Sequence, residues 1–317
     1  MVYRQIDKSK TLTSRKTNSW AAVGMLTVLM TTMVLCVCTF CFGDIDNQVI
    51  DDEIITVTNE DNSHKSSNDE VVQLEKIDFQ PVIDEWVNEI GGNKGVAIYD
   101  LDLGEMVGTY DANEQYNTAS LYKLFVVYEG YRRVESGKWS ADDLAGATGY
   151  TIAECLDLAI RESYSPCAEV LWDKIGVDAL DEIVVNSFGI KDSIISDFVT
   201  TPEDIVQIMR IFYKHVDICD ESMLAQMKDS FLNQPETEHD WRQGLPSGFS
   251  DVVAVYNKVG WEYNENIGRW DIYNDAAIVD FLDQNRHFVV VVMSNDVPYQ
   301  KIRDFGTMLE EHFYKSI

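Results

Sequence analysis

From Phe79 onward the chain switches between two hydrophobic periods. The stretch "FQPVIDEWVNEIG" carries apolar residues at helical spacing and ends on a glycine pair. "NKGVAIYDLDLGEMVGTYD" then predicts two strands joined by a turn at Leu103–Gly104. A helical block is predicted from Ser120 through the 130s, with further amphipathic helices near 151–162, 166–175, 202–215 and 221–232. Three strand-like runs follow, "DVVAVYNKVGW", "DIYNDAAIVDFL" and "HFVVVVMSND", and "PYQKIRDFGTMLEEHFYKSI" closes the chain as a helix. Strands at both ends with helices between them predict an α+β domain over 79–317 rather than a βα repeat. Its antiparallel sheet would be flanked by the terminal helices, and the middle block would form a helical lobe. No internal repeat is visible.

The N-terminal part has a different pattern. Arg4, Lys8, Lys10, Arg15 and Lys16 make a basic head over 1–19, and no charge occurs from Thr17 to Gly43. Residues 20–42, "WAAVGMLTVLMTTMVLCVCTFCF", suffice for a transmembrane helix, which needs about 20 residues. Basic residues ahead of the span predict a cytoplasmic N-terminus, a single pass through the cell membrane and an extracellular remainder. A cleaved signal peptide is the competing reading, but the apolar run is long and no small-residue cleavage site follows it. Residues 43–78 are acidic, rich in Asn and Ser and poor in aromatics, which predicts a flexible tether. About 35 such residues would reach roughly 30–35 Å.

Charge narrows the partners. The 317 residues carry a formal net charge of -29. Basic residues are too scarce to form a phosphate-binding face, so nucleic acid is excluded as a partner. Outside the apolar span the cysteines are Cys155, Cys167 and Cys219. An odd number fits no complete disulfide framework, though one pair plus a free thiol remains open. The plain expectation is three buried small hydrophobes. No histidine or cysteine spacing suggests a metal, no cofactor is implied, and a single-pass monomer is the default.

Candidate chemistry begins at "NTASLYKLF", where Ser120 and Lys123 lie three residues apart on one helix face. A desolvated lysine, neutral at ordinary pH, can take a serine proton and so make a nucleophile without a histidine. The Ser120 amide at the helix start is free to face an oxyanion. Alone, S-x-x-K equally describes a helix start with an exposed lysine. Two further stretches add to it. Ser163-Tyr164-Ser165 forms a polar loop between two helices, and "YNKVGW" puts Lys258 on a strand just before Gly260. The set parallels the S-x-x-K, S-D-N and K-T-G motifs of penicillin-binding proteins and class A β-lactamases.

Residues 95–317 therefore resemble the class A β-lactamase and penicillin-binding transpeptidase superfamily of acyl-serine hydrolases. Order and context agree: two strands precede the Ser120 helix, "TIAECLDLAIRESYS" resembles the second-motif helix and loop, and "TTPEDIVQIM" resembles the helix after the omega loop. "RQGLPSGF" resembles the segment before the third-motif strand. The resemblance implies Ser120 as acylated nucleophile, Lys123 as its base, Ser163 as proton relay to the leaving nitrogen, and Lys258 as the cation favouring an anionic substrate. It implies the amides of Ser120 and Trp261 as oxyanion hole, with Tyr164, Ser165, Val259 and Gly260 lining the substrate site. A β-lactam or a cell-wall peptide would be the substrate.

Three departures limit the transfer. Ser165 stands where the family has asparagine, and Val259 where it has a hydroxyl residue. The segment "IKDSIISDFVTT" between Gly189 and Pro202 is short and holds no glutamate, the residue that activates the deacylating water in class A enzymes. Asp192 and Asp197 lie in it, on a loop expected to be too short to reach the ester. Three readings follow: an active serine hydrolase, a D-alanyl peptidase-like acyl-enzyme former with slow deacylation, and a non-catalytic descendant binding cell-wall fragments or protein.

Overall fold

The structure is a computed structural model and describes residues 74–232, 234 and 240–317. The expected basic head, the transmembrane span over 20–42 and nearly all of the tether lie outside the described residues. Among the described residues no helix is long and apolar enough to cross a membrane.

The elements, in chain order, are α1 (Gln80–Glu89), β1 (Asn93–Asp100), β2 (Glu105–Tyr110), β3 (Tyr116–Asn117), α2 (Tyr122–Glu135), α3 (Ile152–Arg161), α4 (Ser165–Ile175), α5 (Val177–Asn186), β4 (Val199–Thr200), α6 (Pro202–Lys214), α7 (Glu221–Leu232), β5 (Val253–Asn264), β6 (Arg269–Phe281), β7 (Arg286–Asn295) and α8 (Tyr299–Ser316). A five-stranded sheet runs β2-β1-β7-β6-β5, with every neighbouring pair antiparallel. The α+β expectation holds. Glu75 already accepts from Arg286 and Ile77 is buried, so packing starts ahead of Phe79.

Both sheet faces are covered. On one, Ile83 and Trp86 of α1 and Phe305, Leu309 and Phe313 of α8 pack on Val96, Ile98, Val290 and Val292. On the other, the lobe packs on Ala97, Ala276, Val289, Val291 and Met293. A strand buried on both faces needs no polar alternation, which explains the unbroken run in β7. At the centre of the lobe lies α2, buried without interruption from Tyr122 to Tyr131, as expected of a helix apolar all round.

Local signals set the helix starts. Thr151 and Glu154 form a reciprocal capping box on α3. Thr201 caps α6 ahead of Pro202. Helix α5 was not expected. Only Gly176, at φ +97, separates it from α4, and that left-handed residue turns the chain without a longer loop.

Candidate active site

Ser120 sits in a one-turn 3-10 segment, Ala119–Leu121, just ahead of α2. Four contacts hold that turn. Tyr116 and Asn117 pair with Thr200 and Val199. The Thr118 amide donates to the Phe198 carbonyl (2.8 Å). The buried Asn274 amide on β6 donates to the carbonyls of Asn117 (2.8 Å) and Thr118 (3.2 Å). Gly260 on β5 approaches so closely that a Cβ there would lie 2.5 Å from the Thr118 carbonyl oxygen. Ala119 takes φ +42, a left-handed value that costs a non-glycine residue about 1 kcal/mol or more. Its amide donates to the Asn117 side chain (2.6 Å), which helps hold it there. Ser120 is half-buried, and its hydroxyl makes no hydrogen bond with another described residue.

The close approach of Gly260 yields a prediction. Gly260→Ala forces the methyl into a backbone oxygen already held from two sides. It should shift the Ser120 turn, cost about 1–3 kcal/mol of stability and lower acylation by about 100-fold. Thermal unfolding and acylation kinetics of the variant check both parts.

Lys123 is completely buried. Its ammonium does not bond to Ser120; it donates to the Ser163 carbonyl (2.5 Å), the Ser163 hydroxyl (3.2 Å) and the Ser165 hydroxyl (3.0 Å). Lys258, 1% exposed, donates to the same Ser163 hydroxyl (2.9 Å) and to the Val259 carbonyl (2.6 Å). Ser163 therefore bridges two buried amines, from a backbone at φ +52. Burial pushes Lys123 down to about 7, partly opposed by the Glu169 carboxylate. Burial and the charge of Lys123 push Lys258 well down, opposed by Asp275. Two ammonium ions sharing one hydroxyl repel, so the second proton is held weakly.

Asp275 is a participant the motif reading missed. Its buried carboxylate, raised to about 7 mainly by desolvation, accepts from Asn257 (2.9 Å) and from the Leu245 amide (2.8 Å). Arg242 donates to the Val255 and Phe231 carbonyls and reaches the Asn257 side chain (3.4 Å). This polar layer sits behind Lys258 and fixes β5 against the segment before it. Its signal was present: Asn274-Asp275 interrupts an otherwise apolar strand with two polar residues that need partners.

Trp261 stacks on Tyr299 (5.3 Å) and meets Tyr273 and Trp241 edge-on. Trp241 donates to the Glu162 carbonyl (3.2 Å), tying this aromatic wall to the end of α3, one residue before Ser163. Tyr164 is exposed, with its ring near Tyr150. Val259 is buried and offers the site only its carbonyl.

The profile of the Beta-lactamase enzyme family matches residues 78–313. The chain belongs to that family. Solved structures of similar fold include a beta-lactamase from Chitinophaga pinensis (TM-score 0.62, 15% identity, covering 74% of this chain and 97% of that one). A class A beta-lactamase representative from Bacteroides cellulosilyticus gives TM-score 0.62 at 18% identity, with 74% and 96% covered. An ancestral class A beta-lactamase gives 0.62 at 20% identity, with 74% and 99% covered. No curated protein matches the chain. The recognised superfamily and the class A β-lactamase-like fold are therefore established.

The short segment over 190–201 is held from both ends. Asp181 on α5 accepts from the amides of Ile195 and Ser196, and Asp204 on α6 accepts from the Ser193 hydroxyl and the Asp192 amide. Phe198, at φ +56, lays its ring against Tyr122 (5.2 Å) and Trp172 (5.6 Å). An aromatic ring, not a glutamate, faces α2 from this loop.

The cysteines correct the expectation of three buried hydrophobes. Cys155 of α3 and Cys167 of α4 form a disulfide spanning 12 residues, and Cys219 is exposed. The closed loop contains Ser163, Tyr164 and Ser165. Spacing alone could not choose the pair, because the two sulfurs meet only once α3 and α4 pack side by side. Replacing both cysteines by alanine should cost about 2–3 kcal/mol, lowering the Tm by roughly 5–10 °C in a thermal melt without reductant.

Proposed function

We propose that the chain is a membrane-anchored, extracellular serine hydrolase that forms an acyl-enzyme at Ser120 on an amide of a β-lactam or a cell-wall peptide. The observation that carries this reading is the hydrogen-bonded run Lys123–Ser163–Lys258 with both amines buried, its first lysine one helical turn after Ser120, whose hydroxyl makes no hydrogen bond with another described residue. A lysine near 7 is half neutral at ordinary pH and can take a proton without a histidine. Its three present bonds use every N–H of the ammonium. As the neutral amine it keeps one lone pair, so one neighbouring hydroxyl must turn and donate to it. Catalytic hydrogen bonds are often long before substrate binds, and Ser120 would complete its bond to Lys123 in the complex.

In this mechanism Ser120 attacks the carbonyl carbon and Lys123 accepts the hydroxyl proton. The amides of Ser120 and Trp261 face the developing oxyanion. Ser163 passes a proton to the leaving nitrogen as the C–N bond breaks. A substrate carboxylate near Lys258 would restore that amine's charge, since an opposite charge favours the protonated form. Val259 removes one hydroxyl that could have shared that carboxylate.

The anchor reading rests on the apolar run over 20–42 and the basic residues before it. The Cys155–Cys167 bridge supports it, because disulfides persist in oxidising surroundings outside the cytoplasm. A second reading, a D-alanyl peptidase-like acyl-enzyme former with slow deacylation, is favoured by the absence of a glutamate over 190–201. The test uses the full chain with a penicillin and, separately, with a peptide ending in D-alanyl-D-alanine. Ser120-dependent loss of the β-lactam ring or release of D-alanine is expected. If neither substrate is consumed and neither acylates the protein, the proposal falls.

A further inference from the structure

Three residues of α4, Ser165, Glu169 and Trp172, recur at helical spacing and so share one face. Both outer members touch the first turn of α2. The Ser165 hydroxyl accepts from Lys123 (3.0 Å), and the Trp172 ring lies 5.1 Å from that of Tyr122. Glu169, one turn from Ser165 and less than one from Trp172, must face Tyr122 and Lys123 as well. It is exposed, so water reaches it. Its charge acts on both of those residues, raising Lys123 and Tyr122 alike. Over 190–201 there is no glutamate, and the Phe198 ring packs edge-on against Tyr122.

We propose that Glu169, reaching in from α4, is the general base that activates water for hydrolysis of the Ser120 acyl-enzyme. The inference rests on the acyl-enzyme reading of the preceding subsection and supplies the step that the short loop leaves open. The water oxygen bonds to the ester carbonyl carbon while one water proton passes to the Glu169 carboxylate. Collapse of the tetrahedral intermediate breaks the bond to Ser120 Oγ, which keeps the electron pair. Lys123 hands Oγ a proton and recovers one from Glu169, so one water is consumed and the free acid and the serine hydroxyl are released. The family places its base on the omega loop; this chain would place it on the second-motif helix.

The test follows acyl-enzyme clearance by intact mass, using the full chain pulsed with a penicillin and then freed of drug. Wild type should clear its adduct. Glu169→Gln should still acylate, yet clear at least about 100-fold more slowly, the range expected for a lost general base. Glu169→Asp should clear at an intermediate rate, and Asp197→Asn, a carboxylate of the short loop, at the wild-type rate. Because Glu169 is exposed, the substitutions should leave the Tm unchanged, which separates a chemical from a structural effect. The inference is overturned if Glu169→Gln clears like wild type, or if the wild-type adduct never clears. Absence of any adduct and of any drug consumption in wild type would instead remove the acyl-enzyme reading, and this inference with it.

Discussion

Ser120→Ala is expected to abolish acylation and turnover, by at least about 10⁴-fold, while leaving stability within about 0.5 kcal/mol. The two effects separate because of where the hydroxyl sits. It is half-buried and makes no hydrogen bond with another described residue, so its removal strands no buried partner. The turn that carries it is held by other groups: the Asn274 amide, the pairing with β4 and the close approach of Gly260. Activity lost at unchanged Tm would mark a nucleophile. Activity and Tm lost together would mean the hydroxyl is structural and the site misread.

Lys123→Met should move the two quantities in opposite directions. Methionine fills a similar volume with no charge to desolvate, while the base disappears, so acylation should fall by about 10²–10⁴-fold. Stability at pH 7 and below should rise, by about 1–4 kcal/mol, the range seen when buried charges give way to apolar groups. The sign follows from linkage. The folded pKa of Lys123 is about 7, below the unfolded value, so between the two the unfolded chain binds more protons than the native one. Wild-type stability therefore rises with pH from about 7 towards the ordinary lysine value, and the advantage of methionine shrinks over that window. In wild type the acylation rate should rise through pH 7 as Lys123 becomes neutral. Denaturant melts at several pH values and a pH–rate profile measure both. A variant less stable than wild type at low pH would contradict a desolvated lysine.

Much of this fold is legible in the sequence because period and punctuation agree. The run Phe79–Gly91, the strand-like apolar runs and the caps at Thr151 and Thr201 each announce themselves locally. Helix α5 does not, because its boundary is one glycine whose positive φ no periodicity reveals. The same split holds at the site. Ser120, Lys123, Ser163 and Lys258 are found from motif spacing, and the structure brings Lys123, Ser163 and Lys258 into direct contact. Ser165, a departure from the family pattern, proves to be a ligand of the Lys123 ammonium. Asp275 and Trp241 act through residues distant in sequence, so only tertiary packing gives them partners. Glu169 reads as one more acid in an acidic chain until the contacts of Ser165 and Trp172 fix which way its helix face looks. The disulfide is hidden for a similar reason, since three cysteines leave the pairing open.

The most direct test of the central claim is the intact mass of the full chain after brief exposure to a penicillin, with peptide mapping of any adduct. The expected result is an increment equal to the whole drug, because ring opening expels nothing, placed on the peptide bearing Ser120 and absent from Ser120→Ala. An adduct on another residue, an equal adduct on Ser120→Ala, or unmodified protein beside intact drug would contradict it.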